Sequence, residues 1–216
     1  MSFELKLALA ALVVAVCAYF LGCFNGAVIV SKYILRDDIR THGSGNAGLT
    51  IFFRSFGGPL TLVVILLDVA KAVFAVLIGG LAVHLADPAG AARLVLLGKY
   101  WAGLFCVVGH MFPCMFGFKG GKGILSGGVV AIMIDWRLAV IVWGGFLLLT
   151  VLTRYVSLGS CFAGAAFPVV TLILYRDAAV TVLALLIGAL ILWKHRENIK
   201  RLVRGTENKL SFHKKG

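Results

Sequence analysis

The sequence predicts an all-α, polytopic integral membrane protein of about seven transmembrane helices, with the N-terminus outside and the C-terminus inside. Three observations predict it. The chain of 216 residues is 61% hydrophobic and only 14% charged, with a mean hydropathy of +1.00. Apolar runs recur at close to the ~20 residues that a helix needs to cross a bilayer. Lysine and arginine fall mostly in alternate turns between those runs. A soluble domain would be nearer ~45–50% apolar and ~25% charged. Nine acidic residues are too few to cover a soluble surface with mixed charge. Lipid is the solvent this composition requires, and residues 1–216 read as a single transmembrane domain.

The runs are 5–30, 59–84, 91–112, 121–135, 137–153, 159–176 and 178–194. The first is longer than the ~7–15-residue core of a signal peptide and lacks an Ala-x-Ala-like cleavage site. Phe20-Leu21-Gly22-Cys23 is only a weak echo of a lipoprotein signal, so 5–30 reads as the first span. Short polar turns separate the rest: Ala86-Asp87-Pro88-Ala89-Gly90, Asp135-Trp136-Arg137 and Arg176-Asp177. The fourth run is the weakest, because its apolar part is short. It is kept as a span on charge grounds. With it, one side receives Lys32, Arg36, Arg40, Arg54, Lys119, Arg154, Lys194, Arg196, Lys200, Arg201, Arg204, Lys209, Lys214 and Lys215, with Lys122 at its edge. The other side receives Lys6, Arg93, Arg137 and Arg176. The basic side is cytoplasmic by the positive-inside rule.

The formal net charge of +12 fits cytoplasmic loops, anionic headgroups or anionic substrates. Nucleic acid is a poor partner, since the basic residues are interleaved with spans rather than gathered on a soluble module. Five cysteines without a CxxC spacing suggest neither a disulfide framework nor a zinc site. No His/Asp/Glu grouping has metal-ligand spacing. The expectation is no metal and no cofactor.

Four cytoplasmic segments carry the chemistry. The first is His42-Gly43-Ser44-Gly45-Asn46-Ala47-Gly48-Leu49-Thr50, followed by Arg54. Glycine amides can converge on an anion, with hydroxyl, amide and guanidinium groups beside them. A flexible inter-helix loop is the plain alternative. The second is Gly109-His110, then Gly117-Phe118-Lys119-Gly120-Gly121-Lys122-Gly123. It fails the P-loop pattern, having Phe116 where a glycine is needed and Gly123 after the lysine. Its logic is similar all the same: glycine amides at a helix start with two lysines make an anion site. Lysines that merely mark the interface are the alternative.

The third segment is Arg154-Tyr155-Val156-Ser157, where Ser157 suits either an N-cap or a phosphate contact. The fourth is His195-Arg196-Glu197-Asn198-Ile199-Lys200-Arg201-Leu202, then Gly205-Thr206-Glu207. If it is helical, His195 and Asn198 share a face, although a headgroup-binding amphipathic tail would also explain it. Inside the second span Asp68 and Lys71 can pair on one face, as a structural ion pair or toward substrate.

Taken together, these four segments resemble the bacterial acyl-phosphate-dependent glycerol-3-phosphate acyltransferases over nearly the whole chain. Asp68 and Lys71 match a family Asp-x-x-Lys. Two positions depart: Ala47 where the family commonly has Pro, and Ile51 where it commonly has Asn. The resemblance implies transfer of a fatty acyl group from acyl phosphate to the 1-hydroxyl of glycerol 3-phosphate, releasing lysophosphatidic acid and phosphate. It implies a monomer in the bacterial inner membrane with its site facing the cytoplasm, and membrane lipid and the two substrates as partners.

On this resemblance the catalytic candidates are Lys122, His195, Asn198, Ser44 and Arg54. Substrate-binding candidates are Gly43, Gly45, Asn46, Thr50, Lys119, Gly120, Gly121, Gly123, Ser157, Arg154, Asp68, Lys71 and Glu207. Acyl phosphate is a mixed anhydride with a good leaving group, so no acyl-enzyme nucleophile is needed. Neither a Gly-x-Ser-x-Gly elbow nor an HxxxxD motif is present. Lys119, Lys122 and Arg54 would meet phosphate charge, Ser44, Asn46 and Ser157 would supply hydrogen bonds, and His195 and Asn198 would position the hydroxyl. A transporter for organic anions would also use glycines and intramembrane charges, but no internal repeat is visible. A structural lipid-binding protein would explain the basic tail and leave the glycine loops without a purpose.

Overall fold

The computed structural model describes residues 2–87 and 92–210. Most of the turn expected at 86–90, and Lys214 and Lys215, lie outside the described residues. Ser2 caps α1 (Phe3–Cys23), its hydroxyl accepting from the Leu5 amide at 3.3 Å. The chain breaks at Phe24, and Asn25 caps α2 (Gly26–Ile29), which continues as a π-helical turn over Val30–Ile34. A 3₁₀ turn at Ile39–Thr41 is capped by Asp38. The short α3 (Leu49–Ser55) and the long α4 (Leu60–Ala86) come after it. Next are α5 (Ala92–Met111), a 3₁₀ turn at Cys114–Phe116, and α6 (Ile124–Ile134).

Asp135 caps α7 (Trp136–Thr153), which stops where Arg154 turns left-handed. Helix α8 (Val156–Tyr175) stops in the same way at Arg176, and Asp177 caps α9 (Ala178–Lys194). At His195 the chain bends by 58° into α10 (Arg196–Val203).

The expected class, all-helical and polytopic, is borne out. The count by length is lower than seven. Among the described residues five helical stretches are long and apolar enough to cross a membrane: 3–34, 60–86, 92–116, 136–153 and 156–175. The bent 178–194 and 196–203 pair brings the number to six. The fourth run falls short because its helix, Ile124–Ile134, has 11 residues, about 16 Å at ~1.5 Å per residue. Residues 119–123, counted in part with that run, are not helical.

The chain divides into two compact units, 1–134 and 135–216. In the first, α1, α4 and α5 pack through small residues. A Cβ on Gly22 would run into the Cys106 carbonyl, and one on Gly98 into the Gly79 carbonyl. Without a hydrophobic drive between helices in lipid, such close backbone contact is what holds a bundle together. In the second unit α8 packs on α7 and α9, with Gly164 against Gly188. Large apolar side chains such as Leu12, Leu66, Leu85 and Val151 point outward, the arrangement expected where lipid replaces water.

Candidate active site

In the first unit the helix break at Phe24–Asn25 is where the site begins. Asn25 is fully buried. Its side-chain oxygen accepts from the Val28 amide at 3.1 Å, and its amide donates to the Ala47 carbonyl at 3.1 Å. That second bond ties the glycine loop 43–48 to the start of α2. Gly43 and Gly45 take φ values of +54° and +70°, a region open to glycine. The Gly45 amide closes a turn on His42 at 2.9 Å, and Ser44 lies exposed at its tip. Asn46 and Thr50 are half-buried, and Arg54 is exposed in the last turn of α3. Both departures from the family pattern point inward: Ala47 is buried in an apolar cluster with Val28, Phe52 and Val64, and Ile51 packs against it.

The second glycine loop folds onto the first. A Cβ on Gly121 would come within 2.9 Å of the Ala47 carbonyl oxygen and would collide with the His110 imidazole. The Gly121 amide donates to the His110 carbonyl at 3.1 Å, and a Cβ on Gly120 would strike that same carbonyl. Gly120, Gly121 and Gly123 are buried, Lys122 is half-buried and Lys119 is exposed. Arg40 strengthens the pairing of the loops, donating to the Phe116 carbonyl at 2.6 Å while ion-paired with Asp38 at 2.6 Å. The Arg40 guanidinium holds the Asp38 carboxyl below the usual carboxylate range. Ser126, in the first turn of α6, carries a buried hydroxyl with no hydrogen-bond partner.

Asp68 and Lys71 do form a buried pair, at 2.7 Å. Lys71 also donates to the Phe24 and Gly22 carbonyls at 3.1 and 3.3 Å, and lies 2.8 Å from His110 Nδ1. Asp68 accepts the Gly26 amide at 3.2 Å. Of the two readings of this pair, these contacts favour a brace at the helix break. The cysteines Cys23 and Cys114, 3.9 Å apart at sulfur, remain free thiols.

The second unit gathers its own cluster. His195 is buried at the α9–α10 bend, and its Nδ1 donates to the Ile191 carbonyl at 2.8 Å. The ring therefore keeps its neutral-state lone pair on Nε2. Asn198 is buried on the same face, as the spacing predicts. Its amide donates to Glu207 Oε1 at 2.8 Å, and Arg201 Nε donates to Oε2 at 2.7 Å. Burial raises the Glu207 carboxyl, but the hydrogen bonds from Asn198 and Arg201 outweigh it and hold the group below the usual range. Glu207 is thus a clamp on Asn198. Ser157 is not the N-cap: Tyr155 takes that position, and the buried Ser157 hydroxyl makes no hydrogen bond of acceptable geometry. Arg154 is exposed at the end of α7, its carbonyl accepting from the Leu210 amide at 2.7 Å.

Sequence reasoning passed over Asn25 and Ser126, and gave no role in the site to Arg40 or to His110 of the second segment. Asn25 had a signal, an amide followed by glycine inside an apolar run. The partners of His110 had none, because Lys71 lies 39 positions away. Among the described residues no group of three or more His, Cys, Asp or Glu could hold a metal ion.

Residues 12–205 match the glycerol-3-phosphate acyltransferase family. A glycerol-3-phosphate acyltransferase of Thermoanaerobacter pseudethanolicus is 38% identical over 200 residues, covering 93% of this chain and 96% of the relative. One from Clostridioides difficile is 38% identical over 203 residues, covering 92% and 95%. Crystal structures of PlsY (YgiH), an integral membrane glycerol 3-phosphate acyltransferase, superpose over 93% of this chain. The glycerol 3-phosphate form gives a TM-score of 0.81 at 32% identity, covering 96% of that chain. The lysophosphatidic acid form gives 0.78 at 31%, covering 95%. By family profile, sequence identity and structure, this chain belongs to the integral membrane glycerol-3-phosphate acyltransferase family.

Proposed function

We propose that this chain transfers a fatty acyl group from acyl phosphate to the 1-hydroxyl of glycerol 3-phosphate, giving lysophosphatidic acid and inorganic phosphate. The observation that carries the reading is the meeting of two glycine loops at Ala47 and Gly121, with Lys122 at the head of α6. Convergent amides at a helix start beside an ammonium ion suit a phosphate. The hydroxyl oxygen forms a bond to the acyl carbon while the bond from that carbon to the phosphate oxygen breaks. Phosphate departs with the electron pair, and the hydroxyl proton goes to a base.

No residue needs to be acylated, so the protein's work is positioning and charge stabilisation. Lys122, Lys119 and Arg54 meet phosphate charge, while Ser44, Asn46 and Thr50 hydrogen-bond it, with the glycines at 43, 45, 120, 121 and 123 letting the backbone approach. In the second unit His195 and Asn198 orient the hydroxyl, with Ser157 and Arg154 as further substrate contacts. His195 is the candidate base because its proton is held at Nδ1 by Ile191.

The four motif segments face the cytoplasm of a bacterial inner membrane, where a monomer meets its soluble substrate. The basic skew supports this orientation. It requires the short α6, with the chain ahead of it, to carry the polypeptide across. An impermeant thiol reagent on intact cells should label Asp177→Cys and spare Ser44→Cys and Asn208→Cys. Outside labelling of Asn208→Cys refutes the orientation. The reaction is tested with purified protein, radiolabelled glycerol 3-phosphate, and either acyl phosphate or acyl-CoA. Turnover should need acyl phosphate, and robust turnover with acyl-CoA alone refutes the donor assignment.

A further inference from the structure

The family motifs do not explain the contacts of His110. Its ring is 4% exposed and lies between two things that cannot move freely. On one side is the Lys71 ammonium, 2.8 Å from Nδ1, its three N–H groups shared among that ring nitrogen, Asp68 at 2.7 Å and the Phe24 and Gly22 carbonyls at 3.1 and 3.3 Å. On the other is Gly121, whose missing side chain leaves room for the imidazole edge that carries Nε2 and Cε1. An ammonium has only donors, so Nδ1 must accept and the ring proton sits on Nε2, the edge turned to the loop. The His110 carbonyl holds the Gly121 amide as well. The residue therefore grips the phosphate loop by both its backbone and its ring.

We infer that His110 is a positioning residue: anchored through Lys71 to Asp68, it sets the shape of the Gly120–Gly123 loop without touching substrate. The inference rests on the reading of that loop as a phosphate cradle. The same anchor reaches the first loop, because Lys71 holds Gly22 and Phe24 on one flank of Asn25, and Asn25 holds Ala47. One buried cation thus braces both loops at their point of contact.

Two substitutions separate positioning from bulk structural support. In His110→Asn the side-chain oxygen replaces Nδ1 as the acceptor for Lys71, but nothing reaches Gly121. In His110→Gln the amide nitrogen replaces Nε2 against the loop, but Lys71 loses the ring acceptor and keeps only Asp68 and the two backbone carbonyls. The full chain in detergent is titrated with inorganic phosphate by calorimetry, and the thermal midpoint of each variant is measured alongside. Lys122→Ala serves as the control that locates phosphate in this loop. The two orders should be opposite: His110→Asn at least as stable as His110→Gln, yet binding phosphate at least tenfold more weakly than wild type, with His110→Gln within about threefold of wild type. In turnover, His110→Asn should raise KM more than it lowers kcat.

Phosphate affinity that tracks thermal stability across the two variants overturns the proposal. So does an unchanged affinity in His110→Asn, and the cradle reading stands in either case if Lys122→Ala abolishes binding. Phosphate binding indifferent to Lys122→Ala overturns the cradle reading, and the proposal with it.

Discussion

Replacing Gly121 with alanine adds one methyl group at the place where the two glycine loops touch. That Cβ would sit 2.9 Å from the Ala47 carbonyl oxygen and would overlap the His110 imidazole. Neither neighbour can retreat cheaply. Ala47 is held by Asn25 at 3.1 Å, and His110 is held by Lys71 at 2.8 Å. Forcing a methyl group into such a site costs about 1–3 kcal/mol of stability. The easier response is for the loop itself to shift, and a displacement of about 1 Å at a reacting site lowers the rate by about 10².

Gly117→Ala is the matched control. Its φ of +65° imposes a backbone cost, but no atom lies within 4 Å of the added carbon, so about 1 kcal/mol of stability should be lost. Initial rates of lysophosphatidic acid formation by equal amounts of folded protein decide the matter. Gly121→Ala should fall about 100-fold and Gly117→Ala by no more than about threefold. Equal activity in the two variants would refute the idea that contact between the loops shapes the site.

The same geometry sets other expectations. Ser157→Ala should leave thermal stability unchanged, because its hydroxyl has no well-formed hydrogen bond to lose. If that hydroxyl contacts substrate, kcat/KM drops about three- to tenfold, the loss of one neutral hydrogen bond of about 0.5–1.5 kcal/mol. His195→Gln should remove the acidic limb of the pH–rate profile if His195 is the base, and a profile that keeps that limb makes it a positioning group alone. Asp135 caps α7 and is hydrogen-bonded by Arg137, which holds its carboxyl down at about 2. A depressed carboxylate stabilises the fold above its ordinary value of ~3.9 and loses that contribution as pH falls through the folded value. Thermal midpoints of wild type and Asp135→Asn should therefore differ at pH 7 and converge as the pH drops from about 4 toward 2.

The fold class was legible because long apolar runs have few alternatives in water or lipid. The i, i+3 spacing of Asp68 and Lys71, and of His195 and Asn198, likewise survives into the structure as two buried faces. Breaks inside runs were not legible. Residues 5–30 read as one span, yet Asn25 stops α1 and caps α2, and the freed backbone groups become ligands for Lys71. The fourth run was weak on length and was kept as a span on charge grounds alone, and its helix, beginning only at Ile124, is short as that weakness indicated. Glu207 illustrates a further limit. Motif position suggests a substrate contact, but only the folded chain brings its carboxylate onto Asn198 and Arg201.

The most direct test of the proposed chemistry is a paired count of lysophosphatidic acid formed and inorganic phosphate released from acyl phosphate, for wild type and Lys122→Ala. Wild type should give equal amounts of both, and only when glycerol 3-phosphate is present. Lys122→Ala, folded and inserted, should be about 10²–10³ slower, the loss of one charge-assisted contact of about 2–4 kcal/mol in the transition state. Equal release of both products by Lys122→Ala within about a factor of three of the wild-type rate would contradict the assignment of this loop to the departing phosphate.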